Sequence, residues 1–274
     1  MPAQLSEPHS AHIEAMFHYK DFVPDHSIER VVPTGHIFII FELDGIPRHT
    51  FDNETLKPNA TFTKVWISGQ QKHYISISAE KNSEMFVIQF KTLGALPYFG
   101  KGIAGLNDRV VPAEEILGER ILQLHEELLA APDSQAKFDA ATTWLNERFD
   151  PELNPPEELL EFAGTLAAHP SADISELAAS YPKTHKHLIS QFKQYSGLTP
   201  KAYHRILRFN DILQKVRQQQ HIGWSDIAYQ CGLSDQSHFI REFRHFSGFN
   251  PSEFIRLDFQ DQEPNFFPLD REET

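Results

Sequence analysis

The chain contains 274 residues with a formal net charge of −13; 40% of the residues are hydrophobic and 23% are charged. This composition is typical of a folded globular protein and excludes an intrinsically disordered chain. The longest apolar run, Ile37–Phe41, is far shorter than the ~20 residues that cross a bilayer, and no basic and apolar secretory signal is visible. A single cysteine, Cys231, excludes an internal disulfide and a cysteine-based zinc cluster. We therefore expect a cytoplasmic protein without membrane contact, and a length that fits two domains.

The charge is distributed unevenly along the chain. Residues 1–170 carry 13 basic and 25 acidic side chains, whereas residues 171–258 carry 11 basic and 8 acidic ones. Residues 259–274 are again acidic, with 1 basic and 5 acidic side chains. A net negative charge argues against indiscriminate binding of nucleic acid, so contact with a polyanion is expected only in the basic segment 171–258.

Short runs rich in Ile, Val, Phe and Thr, separated by breakers that contain Pro or Gly, dominate the first 92 residues. They predict strands at Ile28–Pro33, His36–Leu43, Thr61–Ser68, His73–Ser78 and Met85–Thr92. The alternation of polar and apolar residues in Thr61–Ser68 is that of a half-buried strand. Many short strands at this spacing predict a β-sandwich or a small β-barrel.

After Pro112 the hydrophobic spacing changes to that of helices. Apolar residues three and four apart predict an amphipathic helix within Ile116–Leu129, and Gln135–Phe149 predicts a second one. Three prolines within Asp150–Glu158 interrupt this pattern and predict a linker.

An internal repeat is the most informative feature of the C-terminal half. The segment Phe192–Pro200 (FKQYSGLTP) recurs 51 residues later as Phe243–Pro251 (FRHFSGFNP). Upstream, Glu176-Leu177-Ala178 recurs 50 residues later as Asp226-Ile227-Ala228. The one-residue slip falls in the predicted turn, where an insertion costs least. The repeat predicts two copies of helix, tight turn and helix, which is the shape of a helix-turn-helix.

Both copies carry the residues that begin and end helices. Thr184 and Ser234 are N-cap residues, whose hydroxyl accepts a hydrogen bond from a helix N–H. Gly197 and Gly248 suit the left-handed position that follows a helix. The residues from 200 to 220 contain no breaker, and at ~1.5 Å per residue they span roughly 30 Å. One connecting helix of this length would match successive major grooves, which are about 34 Å apart.

The second helix of each copy is amphipathic, with one face predicted to pack inward and the other to contact DNA. Leu188 and Phe192 are four residues apart on the inward face, as are Phe239 and Phe243. The opposite faces carry Lys186, Ser190 and Lys193 in the first copy and Gln236, Ser237, Arg241 and Arg244 in the second. Such side chains donate hydrogen bonds to base edges and phosphates. An ordinary solvated helix face is the alternative for either helix taken alone.

The second copy, Trp224–Phe254 (WSDIAYQCGLSDQSHFIREFRHFSGFNPSEF), closely resembles the signature of the AraC/XylS family of bacterial transcription regulators. The first copy is similar to the family's first helix-turn-helix, and the resemblance covers roughly Pro156–Asp258. It implies two helix-turn-helix units joined by a long helix. It also implies double-stranded promoter DNA and RNA polymerase as partners.

The resemblance further implies which residues read DNA. The family's base-reading positions correspond to Lys186, Ile189 and Ser190 in the first copy and to Ser237, His238 and Arg241 in the second. Ser190 stands where family members often have an arginine, and Pro182 where a glycine is usual. The first unit is therefore expected to contact mainly phosphates, through Lys183, Lys186 and Lys193. Ile189 is expected either to touch a thymine methyl group or to pack on a neighbouring element.

Many family members carry a cupin-like β-barrel sensor with a dimerising helix, and the N-terminal part is similar in kind. The implied fold is α+β with two domains: a cupin-like β-barrel with following helices at 1–150 and an all-α DNA-binding domain at 157–258. A linker at 151–156 joins them, and an acidic tail at 259–274 is expected to be loosely ordered or packed only through Phe266 and Phe267. The stripe of Ile121, Leu124 and Leu128 either forms a homodimer or covers the barrel.

Aromatic residues of the predicted strands are candidates for a sensor pocket. The chief candidates are Phe38, Trp66, Tyr74 and Phe86, followed by Phe41 and Phe90. Plain barrel core is the alternative for each of them. His36, His49 and His73 are the histidines that could act as metal ligands, but the strands contain no H-x-H pair with a nearby glutamate. We therefore expect no metal and no other cofactor.

The sequence favours a transcription regulator that binds promoter DNA and is controlled by a small-molecule effector or by dimerisation. One alternative is a regulator without a small-molecule ligand, controlled by a partner protein or by its own abundance. Another is a cupin-type enzyme fused to a DNA-binding module. No G-x-S-x-G or P-loop motif supports catalysis, so we expect a protein that is not an enzyme.

Overall fold

The structure is a computed structural model that describes residues 5–218, 236–254 and 265–270. Within these ranges a strand-rich N-terminal part packs directly against a helical C-terminal part. None of the described helices is both long enough and apolar enough to span a membrane.

Ten strands in the described ranges form two antiparallel sheets. They are β1 (Ile13–Phe22), β2 (Ile28–Val31), β3 (Ile37–Glu42), β4 (Arg48–Phe51), β5 (Pro58–Phe62), β6 (Val65–Ser68), β7 (Ile75–Ser78), β8 (Ser83–Phe90), β9 (Val110–Pro112) and β10 (Phe266–Pro268). The first sheet has the order β1-β8-β3-β6-β9, and the second has the order β10-β2-β7-β4-β5. The two sheets are not joined into a closed barrel by any described strand pair, so the predicted barrel is an open pair of sheets.

Eleven α-helices are described. They are α1 (His9–His12), α2 (Leu96–Phe99), α3 (Glu114–Leu117), α4 (Arg120–Ala130), α5 (Ser134–Arg148), α6 (Glu157–Ala168), α7 (Ile174–Ser180), α8 (His185–Ser196), α9 (Pro200–Gln218), α10 (Gln236–Ser247) and α11 (Pro251–Phe254). Two short 3-10 turns cover Gly100–Gly105 and Pro151–Leu153, the second of them within the predicted linker.

Strand β3 shows how the first sheet separates two environments. Ile39 and Phe41 are fully buried on the face that the helices cover, and the Phe41 ring contacts Phe86, which in turn contacts Phe138 of α5. Phe38 and Ile40, the alternate residues, line a cavity between the two sheets. Side chains of a strand alternate between its faces, so β1, β3, β6 and β8 contribute to both the helix-covered core and the cavity.

The apolar stripe on α4 covers the first sheet and is not exposed on the surface of the protein. Ile121, Leu124 and Leu128 are each 0% exposed. Since fully buried side chains cannot meet a second copy without unfolding the helix from its sheet, the dimerisation alternative for this stripe is wrong. The other alternative for the stripe, covering the sheet, describes what α4 does.

The C-terminal tail corrects a second expectation. Strand β10 pairs with β2 in antiparallel register, with Phe266 opposite Val31 and Pro268 opposite Glu29. Asp270 extends this pairing, because its carboxylate accepts hydrogen bonds from the backbone N–H groups of residues 27 and 28 at 3.0 and 2.8 Å. Residues 265–270 therefore form an ordered edge of the second sheet. The expectation of a tail that is loosely ordered or packed only through Phe266 and Phe267 is wrong for these residues.

Phe267 joins this strand to the helical part of the chain. It is 0% exposed, and its ring centroid lies 5.1 Å from that of Phe254 and 6.3 Å from that of Phe249. We expect Phe267→Ala to lower the free energy of unfolding by about 3–5 kcal/mol, because it leaves a cavity where both parts meet. Urea unfolding followed by circular dichroism measures this loss.

The matched control is Phe22→Ala at a ring that is 43% exposed. This substitution should cost about 1 kcal/mol or less. Equal losses for the two variants would show that residues 265–270 add little to the fold.

Candidate functional site

The first helix-turn-helix unit is capped at each helix start. The carboxylate of Asp173 accepts a hydrogen bond from the N–H of Ser175 at 2.7 Å at the start of α7. At the start of α8 the hydroxyl of Thr184 accepts one from the N–H of His187 at 3.2 Å. Helix α8 ends at Gly197, whose φ of +79° is left-handed. Thr184 and Gly197 thus fix both ends of α8, the second helix of the unit, which occupies the position of a recognition helix.

The recognition helices of the two copies end in the same local structure. In α8 the hydroxyl of Ser196 donates to Phe192 O at 2.7 Å and accepts from the N–H of Leu198 at 3.0 Å. The corresponding hydrogen bonds of Ser247 in α10 are 2.7 and 3.1 Å long, and both helices contain 12 residues. The sequence repeat is therefore also a structural repeat. Ser234 and the preceding helix of the second copy lie outside the described residues.

Most of the candidate DNA-contacting side chains lie on exposed helix surface. The exposed ones are Lys183, Lys186, Ser190, Lys193, Ser237, Arg241 and Arg244; Ile189 and His238 are half-buried, and the Gln236 side chain is not described. Lys183 forms an ion pair with Glu158 of α6, so this lysine already has a carboxylate partner where a phosphate contact was expected. Within the described ranges the other basic residues of this set form no ion pair with a carboxylate, apart from His238.

Glu242 ties the second recognition helix to the long connecting helix. Its Oε1 accepts a hydrogen bond from Nε of Arg205 at 2.7 Å, and the same oxygen lies 3.7 Å from Nε2 of His238. Glu242 is 9% exposed, so the pair lies at the buried base of α10. The contact fixes the rotation of α10 against α9 and leaves Arg241, one residue earlier, on the exposed side.

Both recognition helices rest with their C-terminal glycines on the N-terminal part of the chain. Asn107 donates from Nδ2 to the carbonyl of Gly197 at 2.6 Å. Gly248 lies under Arg30, whose guanidinium is sandwiched 4.6 Å from the ring centroids of both Tyr74 and Phe249. A Cβ atom on Gly197 would lie 2.1 Å from Asn107 Oδ1, and one on Gly248 would lie 2.7 Å from the Tyr74 ring. Two repeated positions thus contact the N-terminal part of the chain at two separate places.

The long helix α9 is attached to the same surface through Asn210. Its Nδ2 donates to the carbonyl of Pro33 at 2.9 Å, and its Oδ1 accepts from Nδ2 of Asn265 at 2.7 Å. About two turns earlier in α9, the ring of Tyr203 packs so closely on Gly35 that a Cβ there would lie 2.9 Å away. The turn before β3, the connecting helix and the residue before β10 therefore meet at one point.

A cavity of about 780 Å³ lies between the two sheets. Its walls come from alternate residues of β1, β3, β6 and β8 on one side and from residues of β2, β4, β5 and β7 on the other. Asn265 and Phe266, which flank the start of β10, also line it. Cavities of this size are typical of small-molecule sites, and this one touches the segment that returns from the helical domain.

The structure separates the aromatic candidates for this cavity. Phe38 and Trp66 line it. Phe86, with Phe41 and Phe90, points to the helix-covered core and is 0% exposed. Tyr74 is not part of the cavity wall, and its ring contacts the Arg30 guanidinium at the domain interface. The aromatic residues Phe17 and Phe62 line the cavity and were missed, because their strands were not recognised or not assigned to this face.

A buried ionic cluster lies at one part of the cavity wall. Glu42, 1% exposed, accepts a hydrogen bond from Trp66 Nε1 at 2.7 Å, and its Oε2 lies 3.1 Å from Nε of Arg48. The Oε2–Nε contact is too poorly angled to be a hydrogen bond, so this oxygen has none among the described residues. Burial raises the pKa of Glu42 to about 7, against the opposing pull of Arg48.

A second titratable cluster lies on the wall near β2. His26 contacts Asp25 Oδ1 through Nδ1 at 2.8 Å and Glu29 Oε2 through Nε2 at 3.2 Å. Burial lowers the pKa of His26, but the hydrogen bonds to Glu29 and Asp25 outweigh it, and the pKa lies above its ordinary value. In the charged state His26 compensates one of these two carboxylates.

The three histidines considered as metal ligands, His36, His49 and His73, do not lie at one common site. His36 and His49 line the cavity, whereas the ring of His73 lies beside that of His245 at the domain interface. For His36, burial lowers the pKa. In the described part of the chain no three His, Cys, Asp or Glu side chains are grouped so as to hold a metal ion.

The first 3-10 turn, Gly100–Gly105, contains a glycine pattern that resembles a nucleotide-binding motif. Gly100, Gly102 and Gly105 have the spacing G-x-G-x-x-G of dinucleotide-binding loops. That motif needs a strand before the glycines and a long helix after them. Here α2 precedes the turn and β9 follows it, so the structural context of a phosphate-binding loop is missing.

Two regions of the chain match known protein families. Residues 177–257 match a helix-turn-helix domain, and residues 6–112 match a domain of unknown function, DUF6597. The chain is 27% identical over 150 residues to the HTH-type transcriptional activator RhaS of Salmonella arizonae, and equally so to that of Salmonella newport. These matches cover 54% of this chain and 47% of each relative, so the correspondence spans about half the length of these relatives.

Solved structures show likeness at low identity. ToxT from Vibrio cholerae aligns over 88% of this chain and 96% of its own, with 12% identity and a TM-score of 0.44. An AraC-type regulator from Chromobacterium violaceum aligns over 38% of this chain and 93% of its own, with 25% identity and a TM-score of 0.34.

Residues 177–257 therefore match a helix-turn-helix domain, and the described helices α8 and α10 of this region end in the same way. This match, the signature at 224–254 and the relatives agree with the resemblance of the C-terminal region to the AraC/XylS family of transcription regulators.

The contact beneath the second recognition helix is testable at Gly248. We expect Gly248→Ala to lower the free energy of unfolding by about 1–2 kcal/mol for the left-handed φ of +73°. A further ~1–3 kcal/mol should follow from the collision with Tyr74 and Arg30. Urea unfolding measures the total.

Gly45→Ala is the matched control, because Gly45 has a φ of +74° and nothing within 4 Å of an added Cβ. It should show the backbone cost alone. If the two variants lose the same stability, Gly248 does not press on the N-terminal part in solution.

Proposed function

We propose that the protein is a sequence-specific transcription regulator whose two helix-turn-helix units bind promoter DNA under the control of a small molecule in the inter-sheet cavity. The observation that carries the proposal is the pair of recognition helices with matching ends, both docked by their C-terminal glycines on the domain that contains the cavity. Their exposed faces carry the cationic and polar side chains that read and position DNA.

The cavity favours control by a ligand over control by a partner or by abundance alone. A regulator without an effector has no need of a cavity of about 780 Å³ in its N-terminal domain. The enzymatic alternative has less support, because the relatives with which the chain aligns bear the name of a transcriptional activator.

We propose that control passes through Asn265 and Phe266, the residues of the cavity wall that follow the helical domain. A ligand in the cavity would contact Asn265 or Phe266, and Asn265 is hydrogen-bonded to Asn210 of the connecting helix. A ligand shifts the equilibrium between two arrangements only as far as it binds one more tightly than the other. The two arrangements would differ in how Gly197 and Gly248 dock, and hence in the relative position of the two recognition helices.

Arg241 and Lys193 are expected to contribute to DNA binding in different ways. We expect Arg241→Ala to relax discrimination at one base pair at a cost of ~1–3 kcal/mol, because an arginine in this position reads a base edge. Lys193→Ala should weaken binding to all sequences alike and reduce its salt dependence, since a lysine on phosphate carries no sequence information. Fluorescence anisotropy with a set of single-base operator variants measures both.

Arg244→Ala is the matched comparison, because Arg244 is also exposed and lies one turn after Arg241 on the same helix. It is expected to behave like Lys193→Ala, its counterpart in the first copy. An equal loss on every operator variant for Arg241→Ala would contradict its role in reading a base.

The proposed function is tested by selecting genomic DNA fragments with the purified full-length protein at one stated salt concentration. A single recovered motif with two elements about one helical turn apart would support a regulator in which both units read DNA. A motif with one element would assign phosphate contact alone to the first unit. No enrichment in the presence or absence of a cell extract that supplies small molecules would contradict the proposal.

A further inference from the structure

The cavity wall carries more negative than positive charge. Its described carboxylates are Asp25, Glu29, Glu42 and Glu80, and its one described Lys or Arg side chain is Arg48. A protonated His26 adds a second positive charge between Asp25 and Glu29. Even then the described groups leave an excess of negative charge, so a bound anion would be repelled unless some cation were available to it.

Arg48 is already engaged by the protein, because each of its three guanidinium nitrogens contacts a protein oxygen. Nε lies 3.1 Å from Glu42, Nη1 donates to the carbonyl of Ile46 at 2.9 Å, and Nη2 donates to Asp44 at 2.5 Å. Arg48 itself is 4% exposed. A carboxylate or phosphate ligand would have to break this network before it gained a hydrogen bond from the guanidinium.

Aromatic rings surround the same part of the wall as Glu42. The Trp66 indole is stacked on Phe62 with 5.5 Å between centroids and an interplanar angle of 27°. Phe17 and Phe38 line the cavity and pack with this pair in a single apolar cluster. A cation over an aromatic face is attracted by the ring quadrupole, more strongly when water is excluded.

We propose that the cavity binds a lipophilic organic cation, with Glu42 as its principal counter-ion and the Trp66–Phe62 stack as its aromatic platform. This rests on the proposed function only in taking the cavity as the effector site. A buried charge needs a partner of opposite sign. Oε2 of Glu42 receives no hydrogen bond from a described residue, although Nε of Arg48 lies 3.1 Å away, and it lies beside the indole that anchors Oε1. A bound cation would therefore share this carboxylate with Arg48.

The protonation of Glu42 agrees with this assignment. Burial places its pKa at about 7, so near neutral pH part of the population carries a neutral acid when the cavity holds no cation. A bound cation would favour the ionised form, because an opposite charge close by stabilises a carboxylate. Arg48, Asp44 and His125 are the other ionisable residues that contact or adjoin Glu42, the last through a 2.7 Å hydrogen bond from Nε2 to the Glu42 carbonyl.

The test uses two probes of equal shape and opposite charge, tetraphenylphosphonium and tetraphenylborate, titrated into the full-length protein by calorimetry. We expect one phosphonium per chain with at least tenfold tighter binding than the borate. Glu42→Gln should weaken phosphonium binding at least fivefold. Glu54→Gln, which removes an exposed carboxylate that is not part of the described cavity wall, should leave it unchanged and so controls for the overall charge of −13.

Glu29→Gln serves where Glu42→Gln fails to fold, because it leaves the Arg48 network intact and should also weaken phosphonium binding. Borate binding as tight as phosphonium binding, or no binding of either ion, would overturn the inference. So would phosphonium binding that no cavity variant weakens. DNA selection by the same preparation keeps the two proposals distinct: a recovered motif without cation binding refutes only the ligand class.

Discussion

The docking of both recognition helices on one surface is the constraint on which the rest of the molecule depends. Gly197 meets Asn107, and Gly248 meets the sandwich of Tyr74, Arg30 and Phe249. A helix joined only by α9 would be free to swing, but two contacts and the Asn210 bridge define its geometry. Half-site spacing on DNA is a geometric quantity, so under the proposed function the N-terminal domain would take part in setting it.

Because side chains alternate between the two faces of the first sheet, the N-terminal domain has two buried regions. One is the dry core under α4 and α5, and the other is the cavity, where the polar residues Glu42, Arg48 and His36 lie among aromatic rings. The first interior packs α4 and α5 against the sheet. The second interior is closed partly by Asn265 and Phe266, so whatever fills it contacts the segment that follows the second helix-turn-helix.

Local patterns in the sequence predicted the elements that repeat or alternate, and missed those that depend on distant partners. The 51-residue repeat predicted the caps at Thr184, Gly197 and Gly248. Four of the five apolar runs each correspond to one strand, whereas Thr61–Ser68, predicted as a single strand, contains the end of β5, a bend and β6. Strand β1 was missed because most of its residues are exposed or half-buried, and β5 because Pro58 and Asn59 resemble a turn. Phe86 and Phe38 both lie in apolar strand segments, and the sequence does not distinguish them. Which of the two faces the cavity depends on the side of the sheet against which α4 and α5 pack.

The pairing of β10 with β2 has a consequence for the synthesis of the chain. The two strands are about 235 residues apart, with Phe266 opposite Val31. At ~5–20 residues per second, the edge of β2 waits on the order of ten to fifty seconds on the ribosome before its partner exists. An unpaired strand edge is a template for association with other chains. Nascent chains of this protein should therefore depend on chaperones most strongly after the first domain has emerged and before residue 270 has been added.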